Sequence, residues 1–233
     1  MTATIEERLA EHLTFLYGDE RGLAAWSRLS ALLADFASRH AEFTENVPPP
    51  RDRLTERDVI LITYGDQVME PGKPALVTLA EVLETYACGA ITGVHILPFF
   101  PYSSDDGFSV IDYAQVNPDF GTWADIVRLD RSFRLMFDAV INHISRQSSW
   151  FQAFLAGDPE FADAFIVVAP GTDLSQVVRP RALPLLTAVQ TVSGEKLVWT
   201  TFSTDQIDLN FADPGVLMRI IELLLLYVEK GAE

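Results

Sequence analysis

The chain has 233 residues, 48% hydrophobic and 21% charged, which suits a globular protein with its own core. Thirty-three acidic residues against 17 basic give a formal net charge of -16, which argues against nucleic acid or an anionic membrane as partner. A single cysteine, Cys88, rules out an internal disulfide and a thiolate metal cluster.

Taken in chain order, residues 4–40 carry two helical stripes. Ile5, Leu9, Leu13 and Leu16 precede an interruption at Gly18-Asp19, and Leu23, Trp26, Leu29, Leu33 and Phe36 follow it. Pro48, Pro49 and Pro50 read as a stiff linker. The rhythm then changes. Residues 59–63 (VILIT) form a β-branched, apolar run expected as a strand buried on both faces. A helix is expected over 75–87, a strand over 93–97, a helix within 121–129 and a third strand over 133–141. Strands and helices alternating at this spacing predict βαβαβ with parallel strands.

Residues 145–208 read as a long irregular segment with a helical piece near Trp150 and Phe154, capped by Ser148. A connection of this length implies a functional loop or a small inserted domain. Residues 214–230 form a strong helix with Asp213 as its cap. Gly231 stops it, and Ala232-Glu233 begins the approach to another strand. The N-terminus, MTATIEERLAEHL, has no apolar signal core, and residues 220–228 are too short to span a bilayer. Together with the absence of disulfides, this leads to the expectation of a cytoplasmic protein.

In parallel α/β folds, ligands bind at the C-terminal ends of the strands. Polar and aromatic residues concentrate in the three corresponding loops: 64–67 (YGDQ), 98–108 (PFFPYSSDDGF) and 142–145 (NHIS). In Asp105-Asp106-Gly107-Phe108 a carboxylate can accept hydrogen bonds from sugar hydroxyls, and an aromatic ring can pack on the apolar face of a pyranose. The same DDGF run also fits a polar turn with an apolar anchor, and His143 alone fits a structural histidine. No metal site is expected, because the other histidines (His12, His40, His95) show no ligand spacing. Nucleotide-binding glycine loops and a Gly-x-Ser-x-Gly elbow are absent.

Together these pieces resemble the α-amylase superfamily. DAVINH at 138–143 is similar to its DxxxNH signature, DDGF at 105–108 to the Asp-x-Gly-Tyr/Phe segment, and QIDLN at 206–210 to the signature closing its inserted domain. LITYGDQ at 61–67 and GVHILPFFP at 93–101 resemble the sucrose phosphorylase-like group. RPRALPLLT at 179–187 and the N-terminal extension look more like that group's glucosylglycerate phosphorylases.

The resemblance implies an α/β fold: the first three βα units of a (β/α)8 TIM barrel at 59–144 and 209–233, an inserted domain B at 145–208, and a helical extension with linker at 1–58. It implies that Asp105 and His143 hydrogen-bond a glucosyl unit and that Phe108 is its platform. Arg181 would meet phosphate or the acceptor, suiting bidentate guanidinium geometry. Phe202 and Gln206 would line the acceptor side, and Asp138 and Asn142 would shape the site. Val178 replaces the tyrosine that sucrose phosphorylases carry before Arg-Pro-Arg, so acceptor preference would differ.

The implied reaction is retaining glucosyl transfer from a glucoside such as glucosylglycerate or sucrose to inorganic phosphate, without cofactor. Its nucleophile and acid are expected beyond Glu233, which would leave this chain catalytically inert alone. Three other readings stay open: a sucrose or sucrose 6-phosphate phosphorylase, a glucosidase or transglucosidase of the same family, and a non-catalytic carbohydrate-binding module.

Overall fold

The computed structural model describes residues 4–43, 54–178 and 182–233; Pro48, Pro49, Pro50 and Arg181 lie outside them. Helix α1 spans Ile5–Tyr17 and opens with a capping box, in which Thr4 Oγ1 accepts from the Glu7 amide at 3.1 Å and Glu7 Oε2 accepts from the Thr4 amide at 2.7 Å. The turn at Gly18 has φ 78°, and α2 (Asp19–Arg39) folds back on α1. The helices cross at Gly22, where a Cβ would stand 2.4 Å from Thr14 Cα.

Strands β1 (Ile60–Thr63), β2 (Gly93–Ile96) and β3 (Arg134–Phe137) lie parallel in that order, in register Ile60–Gly93–Arg134. The connections carry α3 (Ala75–Tyr86) and α4 (Trp123–Asp130). One face of the sheet, through Val94, Ile96 and Leu135, packs on Leu76, Leu79, Ile126 and Leu129 in the main core. Full burial of each such side chain contributes about 1.5–3 kcal/mol.

The other face departs from expectation. Ile60, Ile62 and Met136 are 42%, 62% and 41% exposed, so β1 is buried on one face instead of two. The apolar run predicts two covered faces, but helices pack on only one among the described residues.

The third strand is also shorter than the sequence suggests. Val140 and Ile141 leave the sheet, with a tight turn from the Ile141 amide to the Ala139 carbonyl at 2.9 Å. Residues 143–145, read from sequence as part of a loop, form a strand instead. Strand β4 (His143–Ser145) pairs antiparallel with a distant segment of the chain, residues 206–208.

Beyond β4 the chain is more regular than expected. Helix α5 (Ser149–Leu155) starts at Ser148, whose hydroxyl accepts from the Phe151 amide at 3.2 Å. Strands β5 (Val167–Val168), β6 (Leu186–Thr191) and β7 (Gly194–Trp199) form an antiparallel sheet in the order β5-β7-β6. The β6–β7 hairpin turns at Ser193-Gly194, with Gly194 at φ 110°. Strand β8 (Gln206–Asp208) completes the ribbon with β4.

Helix α6 (Pro214–Glu229) is capped by Asp213, whose Oδ1 accepts from the Gly215 amide at 3.1 Å. Met218 of α6 joins Leu13, Ala25 and Leu29 in a second small core beneath the α1–α2 hairpin. Gly231, at φ 103°, turns the chain, and Ala232 bridges Leu135 in parallel while the Glu233 amide donates to the Leu135 carbonyl at 3.0 Å. These contacts form a single parallel bridge along β3. No described helix is long and apolar enough to cross a membrane.

Candidate active site

The loop after β2 closes on itself through the Ser103 amide, which donates to the Ser109 carbonyl at 3.0 Å, and a Tyr102–Val110 bridge. Between these points Asp105, Asp106 and Gly107 have φ of 58°, 50° and 101°. Left-handed backbone costs a side-chain-bearing residue about 1–2 kcal/mol, so two successive aspartates mark a strained turn. Gly107 is required here, because a Cβ would stand 2.7 Å from the Pro98 carbonyl oxygen. The turn leaves Asp105 exposed and Phe108 half-buried.

The β4–β8 ribbon holds this turn from the other side. Gln206 donates its amide to Asp105 Oδ2 at 2.8 Å and to the Phe108 carbonyl at 3.2 Å. His143 Nε2 lies 2.8 Å from the same carbonyl. A carbonyl only accepts, so Nε2 carries the hydrogen and the neutral ring presents Nδ1 as acceptor, 3.4 Å from Asn142 Nδ2. Burial holds the imidazole below its ordinary pKa of 6.5, against the opposing pull of the Phe108 carbonyl, Asp208 and Asp105. The Phe202 ring lies 5.0 Å from that of His143, at 57°.

Asn142 also donates to Asp208 Oδ2 at 3.3 Å, and Asp208 in turn accepts from the Thr201 amide at 2.9 Å and the Thr201 hydroxyl at 2.6 Å. Thus Asp105, Phe108, His143, Phe202 and Gln206 form one connected cluster, with Asn142 bracing it. Asp138 faces elsewhere: its Oδ2 is 3.3 Å from His95 Nε2, off hydrogen-bond geometry, on the sheet face shared by Ile62 and Met136. Among the described residues, no group of three histidine, cysteine, aspartate or glutamate side chains could hold a metal ion.

Two contributors were not found from the sequence. Tyr113 places its hydroxyl 2.7 Å from the Val140 carbonyl and 2.6 Å from that of His143, clamping the segment from below; burial drives its pKa upward. Asp205 gathers serines from the β2 loop. The SSDDGFS run shows the serines, but nothing local points to a partner a hundred residues on.

A cleft of about 170 Å³ opens between the first two strand-end loops, lined by Tyr64, Asp66, Tyr102, Asp106 and Phe120. A larger cavity of about 230 Å³, lined by Asp58, Thr92, Arg134 and Glu233, lies at the opposite ends of the strands. The convergent carboxylate, imidazole and aromatic groups make the C-terminal ends the candidate site.

A parallel strand–helix array with polar and aromatic groups gathered at its C-terminal strand ends defines a mixed α/β protein with a parallel sheet. Residues 88–233 match the family model for the alpha amylase catalytic domain. The chain is 52% identical to the glucosylglycerate phosphorylase of Spirochaeta thermophila over 97% of its length, and 51% identical to that of Allomeiothermus silvanus over 100%. The crystal structure of a sucrose 6F-phosphate phosphorylase from Thermoanaerobacter thermosaccharolyticum superposes with a TM-score of 0.70 at 34% identity, covering 78% of this chain and 40% of that one. The chain belongs to the alpha-amylase family. It spans 39% and 40% of the two curated relatives' own lengths, about two fifths.

Proposed function

We propose that this chain is the donor-sugar portion of a glucoside phosphorylase, which moves a glucosyl unit from glucosylglycerate to inorganic phosphate and yields glucose 1-phosphate. The observation that carries the reading is the likeness to glucosylglycerate phosphorylases along 97% of the chain at 52% identity. In this reading residues 59–144 and 209–233 supply the first three βα units of a (β/α)8 barrel, with 145–208 as domain B and 1–58 as a helical extension. The charge balance and single cysteine fit a cytoplasmic enzyme.

The cluster is suited to hold a pyranose. The Asp105 carboxylate is open to hydroxyl donors, Phe108 offers a ring face, and the His143 ring, with both nitrogens held by Asn142 and the Phe108 carbonyl, stands beside them. Phe202 and Gln206 border the acceptor side, and Arg181 would meet phosphate. Retention requires a carboxylate nucleophile and a carboxylic acid. By the family resemblance neither is among the residues of this chain.

The test is incubation of the complete polypeptide bearing this sequence with glucosylglycerate, with and without phosphate. Phosphate-dependent glucose 1-phosphate is the expected product. Free glucose at the same rate without phosphate would overturn the phosphorylase reading, and preference for sucrose or sucrose 6-phosphate would reassign the donor. The 233-residue chain alone is expected to release none.

A further inference from the structure

We propose that Asp205 is a positioning residue, which fixes the strained Asp105–Phe108 turn against the β4–β8 ribbon and so sets the affinity for the donor sugar. This rests on the donor-sugar reading above. One carboxylate oxygen, Asp205 Oδ2, accepts from three hydroxyls of the β2 loop: Ser103 at 2.6 Å, Ser104 at 2.6 Å and Ser109 at 2.8 Å. Ser145 of β4 completes the set, its hydroxyl 2.6 Å from that of Ser103 while it accepts from the Gln147 amide at 2.9 Å. The proton order is therefore fixed. Ser145 donates to Ser103, Ser103 donates to Asp205, and Asp205 only accepts.

Backbone bonds run through the same joint. The Asp205 carbonyl accepts from the Arg146 amide at 2.8 Å. Ser104 and Ser109 flank the left-handed turn on either side, and Gln206, the next residue after Asp205, holds Asp105 and Phe108 directly. Two non-glycine residues with positive φ persist only where their surroundings over-determine them. The serine–Asp205 joint supplies that restraint from both ends of the turn, without a side-chain atom of its own toward the sugar.

The test uses the complete enzyme and three variants: Asp205→Ala, Asp205→Asn and Ser104→Ala. Asp205→Ala is expected to lower kcat/KM for the glucosyl donor about 100-fold, the effect of displacing a binding group by an ångström, with the phosphate KM unchanged. Asp205→Asn keeps an accepting oxygen and is expected to recover most of that loss. Ser104→Ala removes a single charge-assisted bond and is expected to cost about tenfold, which keeps the question open to test if Asp205→Ala fails to fold. Hydrogen exchange is expected to speed up at the Phe108 and Ser109 amides in the variants and stay unchanged in β2.

Wild-type donor kinetics in Ser104→Ala or Asp205→Ala would overturn the proposal, as would unchanged exchange at residues 103–109. An equal rise in donor and phosphate KM would overturn it too. Absence of glucose 1-phosphate from the wild-type enzyme would instead sink the functional reading, and the exchange measurement would still decide the role of Asp205.

Discussion

Gln206 donates its side-chain amide to Asp105 at 2.8 Å, joining two residues 101 positions apart. This bond ties the exposed carboxylate of a strained turn to a fully buried strand, and it makes the turn part of the ribbon. Gln206→Glu would set two carboxylates against each other and leave the Phe108 carbonyl facing an acceptor. The variant is expected to be destabilised by about 1–3 kcal/mol in urea unfolding at pH 7. Protonation of the new glutamate should restore part of that at pH 5; equal losses at both pH values would refute the charge argument.

Tyr113→Phe removes the hydroxyl shared by the Val140 and His143 carbonyls in a site where both are shielded from water. A loss of about 1–3 kcal/mol is expected. Tyr86→Phe is the control, since Tyr86 is 82% exposed and should change stability by less than about 0.5 kcal/mol. Weaker glucose binding by Tyr113→Phe, measured by calorimetry, would follow from the loosened His143.

Gly107→Ala and Gly72→Ala separate backbone strain from collision. Both glycines have positive φ, but an added Cβ at Gly72 meets nothing within 4 Å, whereas at Gly107 it meets the Pro98 carbonyl at 2.7 Å. Gly72→Ala should cost about 1–2 kcal/mol, and Gly107→Ala clearly more, with loss of donor binding. Equal melting temperatures for the two variants would contradict the close approach.

The depressed pKa of His143 gives stability a pH dependence of defined sign. Its folded value lies below the ordinary 6.5, so the unfolded chain binds the proton more tightly. The contribution is fully present above pH 6.5 and is lost as pH falls from there through the folded value. Replacement by glutamine should flatten that limb of the stability profile, read from unfolding midpoints between pH 7.5 and 5 on the order of half-unit steps.

Leu29→Ala tests whether the N-terminal hairpin is stitched to the barrel-type unit. Leu29 is 5% exposed and packs in the small core with Met218 of α6. A loss of about 2–5 kcal/mol is expected for the hairpin, detected as early protease cleavage within α1 and α2. Phe15→Ser, at an 86% exposed position, should leave the cleavage pattern unchanged.

Most elements of the chain were legible because their signals are local. Helical periodicity with Gly18 between two stripes announced α1 and α2, and Ser148 and Asp213 announced the starts of α5 and α6 as caps. The β6–β7 hairpin was missed although Ser193-Gly194 sits between two apolar-alternating runs, because the surrounding prolines and glycines made the region read as loop. For the site, sequence motifs named Asp105, Phe108, His143, Phe202 and Gln206, and these do meet in space. Arg181, named with them, falls outside the described residues. The motifs could not reveal Tyr113 or Asp205, since each acts on partners far away in sequence.

Composition, periodicity and capping thus determined by themselves which segments become helices and parallel strands, because those preferences depend on neighbours within a few residues. Tertiary structure alone decided that His143–Ser145, read from sequence as loop, forms a strand paired with Gln206–Asp208. It also decided that Gln206 and Asp205 hold the Asp105 turn. Buried donors and acceptors must find partners wherever the fold brings them, and only closure of the ribbon brings residues 103–109 and 205–206 within hydrogen-bond reach.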